Sequence, residues 1–147
     1  MKKILLMCFI LFIAFTMVGC DLSEKQPDIK EYLNEIWNIQ LPDTTEQIYG
    51  YYEPTFTGMA YQYAVLTCDE VAINELTTNY EFHLKDDSST QRLNDFFKYM
   101  ADNKKRPIDK TYFIDLSENY TYYLQNNIVW LALNENRTKL SVCIVGH

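Results

Sequence analysis

The chain has 147 residues, which is the length of one ordinary domain and enough for a substantial hydrophobic core. It carries 20 acidic and 13 basic residues, and its net charge of −7 disfavours binding to nucleic-acid phosphates or to an anionic membrane surface. Basic proteins, cationic peptides and metal cations are better electrostatic partners. The simpler interpretation of the charge is that it only keeps the protein soluble.

The first twenty residues have the organisation of a secretory signal. Lys2 and Lys3 precede an uncharged apolar run from Ile4 to Val18. As a helix this run would span roughly 22 Å, less than the ~30 Å hydrocarbon core of a bilayer. A short apolar run behind a positive N-terminus is typical of a cleaved signal. The alternatives are an uncleaved signal anchor with an incidental cysteine and a protein secreted in soluble form.

The run ends in Met17, Val18, Gly19 and Cys20, which resemble the lipobox of bacterial lipoproteins, with Met17 in place of the usual leucine. In that class the cysteine thiol receives a diacylglyceryl group, and a peptidase then cleaves before the cysteine. Two acyl chains hold a protein stably at a membrane, whereas one does so only marginally. The resemblance therefore implies a cell-membrane location facing outside the cytoplasm. Asp21 resembles an inner-membrane retention signal of two-membrane bacteria.

Three segments follow from this resemblance: a cleaved signal peptide over residues 1–19, a lipidated N-terminus and short tether over 20–28, and one α+β domain over 29–147. Loss of Lys2 and Lys3 leaves 11 basic and 20 acidic residues, so the mature chain would carry a net charge of −9. The expected partners are the membrane, through the lipid on Cys20, and a protein, peptide or cell-wall ligand. Nucleic acid is not expected.

The first predicted elements are a helix and two strands. Asp28 is a candidate N-cap for a helix over residues 29–38, where apolar residues recur at helical spacing. Two tyrosine-rich runs with a period of two, 46–53 and 57–68, predict strands, and Pro54 between them disfavours a continuous strand. Asp69 is expected to lie at or near the cap of a short helix, and residues 80–84 form a strand or an extended link.

A longer amphipathic helix is predicted from a cap at Ser88 or Ser89 to a stop at Pro107, with an apolar stripe on one side. The C-terminal third predicts an antiparallel meander of four strands, over residues 111–116, 120–125, 127–134 and 139–146. Residues 128–133 are apolar at every position, which indicates a central strand. The expected fold is α+β, with an antiparallel sheet of about five strands and two or three helices packed on one face.

Two cysteines belong to the domain, Cys68 and Cys143, and they are candidates for a disulfide because exported proteins can keep one. The alternative is two buried free thiols that pack as small hydrophobic groups. A nucleophilic pair of either cysteine with His83 stays open, although no flanking signature supports it. The sequence has no nucleophile elbow, phosphate-binding glycine loop or zinc-ligand pattern. No catalytic residue, cofactor or metal is predicted.

One segment has a faint likeness to a calcium loop, because Asp115, Ser117 and Asn119 stand at alternate positions. The glycine and the final glutamate of such a loop are missing. We therefore expect an ordinary turn.

The strongest positive signal is aromatic, since the chain contains 12 tyrosines. A tyrosine combines a flat apolar face with a polar tip, which suits an exposed binding surface. The residues expected to form such a surface on the sheet are Tyr49, Tyr51, Tyr61, Tyr63, Tyr120 and Tyr122. The alternative is that they are ordinary strand residues, half buried in the sheet.

The leading functional interpretation is a membrane-anchored, non-enzymatic binding or inhibitory module that uses this tyrosine-rich surface. One alternative is a small extracytoplasmic enzyme with cysteine or carboxylate chemistry, and another is an accessory subunit of an envelope complex. An exposed aromatic patch favours the first, a cleft that joins His83 to a cysteine or to several acids favours the second, and a large apolar patch favours the third.

Overall fold

A computed structural model of the chain describes residues 28–55, 58–102 and 108–145, and the side chains at 53–55 and 58–61 lie outside that description. The described residues contain three α-helices and a six-stranded antiparallel sheet. This confirms the α+β class, with one strand more than the five or so expected. The predicted signal peptide, Cys20 and the tether as far as residue 27 are outside the described residues.

The helices are α1 (Ile29–Trp37), α2 (Glu70–Asn79) and α3 (Asp87–Asp102). The strands are β1 (Glu46–Thr55), β2 (Gly58–Thr67), β3 (His83–Leu84), β4 (Tyr120–Gln125), β5 (Val129–Asn134) and β6 (Lys139–Ile144). Their order across the sheet is β1-β2-β6-β5-β4-β3, so β5 is central, as predicted from its unbroken apolar run. β1 lies at the edge of the sheet, where Pro54 is tolerated inside a strand because no further strand needs its missing N–H.

The strand predicted over residues 111–116 is not present. A 3₁₀ turn covers Lys110–Tyr112 instead, and irregular chain follows it. The Asp109 carboxylate accepts hydrogen bonds from the backbone N–H of Thr111 at 3.0 Å and from its hydroxyl at 2.7 Å. Such local bonds give the backbone an alternative to a sheet ladder.

The helices lie on both faces of the sheet, and not on one face as expected. α1 and α2 cover a cluster that includes Leu66, Leu131 and Val142. α3 covers the opposite face, where Tyr63 and Trp130 are buried. Because successive strand residues point to opposite faces, a strand buried on both sides must be apolar at every position, as β5 is.

Each helix begins at a side-chain cap. Asp28 and Asp69 accept hydrogen bonds from backbone N–H groups in the first turns of α1 and α2, as predicted. The cap of α3 is Asp86, and neither Ser88 nor Ser89 is in that position. The Asp86 carboxylate accepts from the N–H of Ser89 at 2.6 Å, while the Ser89 hydroxyl accepts from the N–H of Asp86 at 2.9 Å. This reciprocal pair is a capping box.

Helix α1 runs from one end of the sheet to the other. Near its start, Lys30 donates to the carbonyl of Asp43, and the adjacent Thr44 bonds to Asp69, just beyond the end of β2. At its other end, the Trp37 carbonyl accepts from the side chain of Gln125, the last residue of β4. Asp28, where the first described range begins, therefore lies at the end of the sheet that holds the β5–β6 turn. The β4–β5 turn lies at the far end.

Within residues 28–55, 58–102 and 108–145, no helix is both long enough and apolar enough to cross a bilayer.

Candidate functional site

The structure places most of the predicted tyrosine surface inside the protein. Tyr51, Tyr63 and Tyr120 are only 5%, 0% and 2% exposed, so the prediction that they form an exposed surface is wrong. Tyr49 and Tyr122 are partly buried beside the same cluster under α3. All five share one face of the sheet, but that face is a core surface. Tyr61 lies in β2, and its side chain is outside the described part.

Hydrogen bonds fix the buried tyrosines in place. The Tyr63 hydroxyl donates to the carbonyl of Tyr112 at 2.8 Å and lies 3.1 Å from the hydroxyl of Ser141. Burial raises the pKa of Tyr63 above its ordinary value, so the phenol stays neutral. The Tyr120 hydroxyl lies 3.1 Å from the hydroxyls of Ser89 and Thr90. These tyrosines join α3 and the 3₁₀ turn to the sheet.

The two partly buried tyrosines support neighbouring segments. Tyr49 stacks on Tyr112 with ring centroids 4.4 Å apart, which holds the 3₁₀ turn against β1. The Tyr122 hydroxyl donates to the Asp86 carboxylate at 3.1 Å and so links β4 to the cap of α3. Desolvation raises the pKa of Tyr122, and the adjacent carboxylate adds to that effect.

The fold separates Cys68 from Cys143. Cys143 is paired with Tyr63 across β2 and β6, and Cys68 stands five residues after Tyr63, just beyond the end of β2, roughly 16 Å away. The two side chains also pack on opposite faces of the sheet, in different clusters. A disulfide needs Cα atoms within about 7 Å, so both thiols are free in this fold and the disulfide prediction is not supported.

Neither cysteine forms a nucleophilic pair with His83. His83 is exposed on the edge strand β3, three strands from Cys143 in β6, on the order of 14 Å away. Burial raises the pKa of both thiols, to about 11 for Cys68, and this opposes formation of the reactive thiolate.

The segment that resembles a calcium loop is a turn held by a lysine. Asp115 accepts from the backbone N–H and the hydroxyl of Ser117 at 2.8 and 2.6 Å. The ammonium of Lys85 donates to the carbonyls of Glu118, Ser117 and Leu116 at 2.6, 3.3 and 3.5 Å. A side-chain cation therefore already takes these carbonyl oxygens.

An opening of about 690 Å³ lies between α3 and the β4–β5 end of the sheet, and we call it the α3 groove. It is lined by Gln62, Arg92, Asp95, Phe96, Tyr99, Asn127, Trp130, Ile144 and Val145. This volume is typical of sites for small ligands, which usually hold about 300–1,000 Å³.

The α3 groove has an apolar floor and a polar rim. Trp130 and Phe96 are almost fully buried and lie with Val145 at the bottom of the groove. Ile144 borders the groove, but its side chain packs in the cluster under α1 and α2. At the rim, the Arg92 guanidinium donates to the Asn127 side-chain carbonyl at 3.3 Å, and the Asp95 carboxylate accepts from a neighbouring amide on α3 at 3.0 Å. An apolar floor with a few polar groups at the rim is the usual design of a binding site.

Sequence reasoning did not find this groove, because its lining comes from four separate segments. One local signal exists on α3, where Arg92, Asp95 and Tyr99 stand at i, i+3 and i+7 and so share one side of the helix. Tyr99 is 60% exposed, an unusual position for a large aromatic residue. Asn127 owes its place to the tight turn after β4, where Asn126 and Asn127 both adopt positive φ, at 54° and 59°.

A second, more polar cleft of about 520 Å³ lies between α1, the chain after it and α2. Its lining includes Glu31, Asp43, Glu75 and Lys30, and the lysine already donates to the carbonyl of Asp43. Among the described residues, no group of three or more histidine, cysteine, aspartate or glutamate side chains could hold a metal ion. Comparison of the chain with known protein families, with curated proteins and with solved structures finds no match.

Proposed function

We propose that this protein is a lipid-anchored, non-enzymatic binding protein outside the cytoplasmic membrane, and that the α3 groove is its ligand site. The observation that carries the binding proposal is the groove itself, with Phe96 and Trp130 at its floor and charged and amide groups at its rim. The location is supported by the likeness of residues 17–20 to a lipobox. In this proposal the ligand binds in the α3 groove and not on the tyrosine-rich surface that the sequence predicts.

The position of the groove suits a ligand that arrives from outside. A tether of nine residues, 20–28, spans at most about 30 Å, so the start of α1 stays near the membrane. The α3 groove lies at the other end of the sheet, beside Asn127, and on the opposite face from α1. A domain attached in this way has room to hold its groove away from the lipid surface.

Site-specific photo-crosslinking in intact membranes tests the proposal. A photoreactive phenylalanine analogue replaces Tyr99 at the groove rim in one variant and Val71 on α2 in another. The two positions are matched in exposure, at 60% and 62%, but lie on opposite faces of the sheet. We expect a defined adduct from position 99 and none from position 71. Equal labelling at both positions, or no adduct from position 99, would contradict the proposal.

A further inference from the structure

We infer that the ligand of the α3 groove is a free di- or tripeptide that carries a large apolar side chain and both of its terminal charges. This inference rests on the proposed function and deepens it. Two features carry it: the apolar floor and the two opposite charges at the rim, with the spacing between them.

The floor of the groove suits an apolar side chain. Phe96 and Val145 offer only carbon atoms, and Trp130 is a large apolar ring whose single polar atom is a donor. A sugar would place several hydroxyl groups against this surface, and each one without a partner would cost binding free energy. A leucine or phenylalanine side chain gains free energy from the same burial.

The rim carries one cation, Arg92, and one anion, Asp95, and each can form further hydrogen bonds with a ligand. The Arg92 guanidinium has five N–H donors, and the contact with Asn127 uses a donor on one of its nitrogens. The Asp95 carboxylate can accept several hydrogen bonds, and the contact from Gln91 occupies one oxygen. These two groups complement a terminal carboxylate and a terminal ammonium, and charge-assisted hydrogen bonds of this kind are the stronger ones.

The spacing of these charges limits the length of the peptide. Arg92 and Asp95 stand three residues apart on α3, with Cβ atoms about 5–6 Å apart, and the long arginine side chain extends the distance between the charges. The ends of an extended di- or tripeptide are roughly 7–10 Å apart. The side-chain amide of Asn127, whose oxygen accepts from Arg92, has N–H donors for a peptide carbonyl in between.

Calorimetric titration of the full lipidated chain in detergent micelles tests the inference. The probes are alanyl-leucyl-alanine and alanyl-phenylalanyl-alanine with free termini, the same peptides with an acetylated N-terminus or an amidated C-terminus, and alanyl-seryl-alanine. We expect at least one apolar tripeptide to bind. Blocking either terminus, or replacing the apolar residue by serine, should weaken binding by about tenfold or more.

Two substitutions identify the groups that bind the termini. Arg92→Gln should weaken binding of the free peptide about tenfold but leave the affinity of the amidated peptide unchanged, since that peptide has no carboxylate. Asp95→Asn should weaken binding of the free peptide about tenfold but leave the affinity of the acetylated peptide unchanged, since that peptide has no terminal ammonium. Lys98→Gln on α3 and Glu35→Gln on α1 are matched controls that lie outside the groove lining and should bind like wild type.

Several results would overturn the inference. These are no binding of either apolar tripeptide, equal binding of blocked and free peptides, or an equal loss of affinity in the Lys98 and Glu35 controls. If the tripeptides fail but position 99 still yields a crosslinked ligand, the peptide inference is wrong and the proposed binding function stands. If position 99 also yields no adduct, both are wrong.

Discussion

The hydroxyl of Tyr63 is buried in the centre of the protein, where it contacts the carbonyl of Tyr112 and the hydroxyl of Ser141. Around its ring, Phe97 and Phe113 lie in edge-to-face geometry with centroids 5.5 and 5.7 Å away. Such pairs add about 0.5–1.5 kcal/mol beyond the burial of their area. At this position a tyrosine acts as a core residue with one polar anchor.

The first prediction concerns that anchor. Tyr63→Phe should lower the free energy of unfolding by about 1–3 kcal/mol, because the Tyr112 carbonyl and the Ser141 hydroxyl lose a buried partner. Urea denaturation monitored by circular dichroism measures the loss. Tyr99→Phe is the control, since Tyr99 is mostly exposed, and it should change stability by less than about 0.5 kcal/mol. Equal stability of Tyr63→Phe and wild type would contradict the assigned role.

The second prediction concerns the thiols. In the native protein at pH 8, Cys143 should resist alkylation by iodoacetamide because it is fully buried, and Cys68 should react slowly because it is half buried with a raised pKa. After unfolding without a reductant, both should react fully. Mass spectrometry counts the added groups. Two thiols that stay blocked until a reductant is added would show the disulfide that this fold excludes.

At the scale of elements, the sequence predicts best where the signal is local. The bounds of α1 and the Asp69 cap of α2 follow from side chains that bond within the same turn. The sequence predicts the cap of α3 two or three residues too late, because Asp86 and Ser89 act as a pair and both residue types are good caps. The absent strand at 111–116 has a similar cause, since the Asp109 bonds that form the 3₁₀ turn compete with β-propensity.

The third prediction follows from the caps. Backbone N–H donors lower the pKa of Asp69 and Asp86 below the ordinary aspartate value of 3.8 in the native state. A lowered native pKa stabilises the fold above the unfolded-state value, and this stabilisation is lost as the pH falls through the lowered value. The melting temperature should therefore stay level between about pH 7 and pH 5 and fall below about pH 4.

Amide variants separate the caps from other carboxylates. Asn also caps helices but does not titrate in this range, so Asp86→Asn should reduce the fall in melting temperature at acid pH. Asp102→Asn, at the other end of α3, is the control and should keep the fall seen in the wild type. An unchanged acid profile in Asp86→Asn would show that this cap contributes nothing to it.

At the scale of the whole molecule, the prediction of an exposed tyrosine surface fails because helices cover both faces of the sheet. Alternation along β2 and β4 correctly places Tyr63, Tyr120 and Tyr122 on one face. Sequence periodicity cannot show whether a helix covers that face. The helix that does so, α3, was predicted from its own stripe, but which face it covers depends on long-range packing. The α3 groove is likewise a product of that packing.

The proposed function has two parts, a lipid anchor at Cys20 and a ligand site in the α3 groove, which lies at the other end of the sheet from the start of α1. The position of the groove relative to the membrane depends on the anchor. The state of residue 20 is therefore the central claim, and every statement about orientation depends on it.

Intact mass spectrometry of the protein extracted from membranes tests this claim most directly. We predict a chain that begins at residue 20 and carries the added mass of a diacylglyceryl group. In Cys20→Ala that mass should be absent and the signal peptide should remain attached. A wild-type chain that still begins at Met1, or one that is cleaved but carries no lipid, would contradict the account.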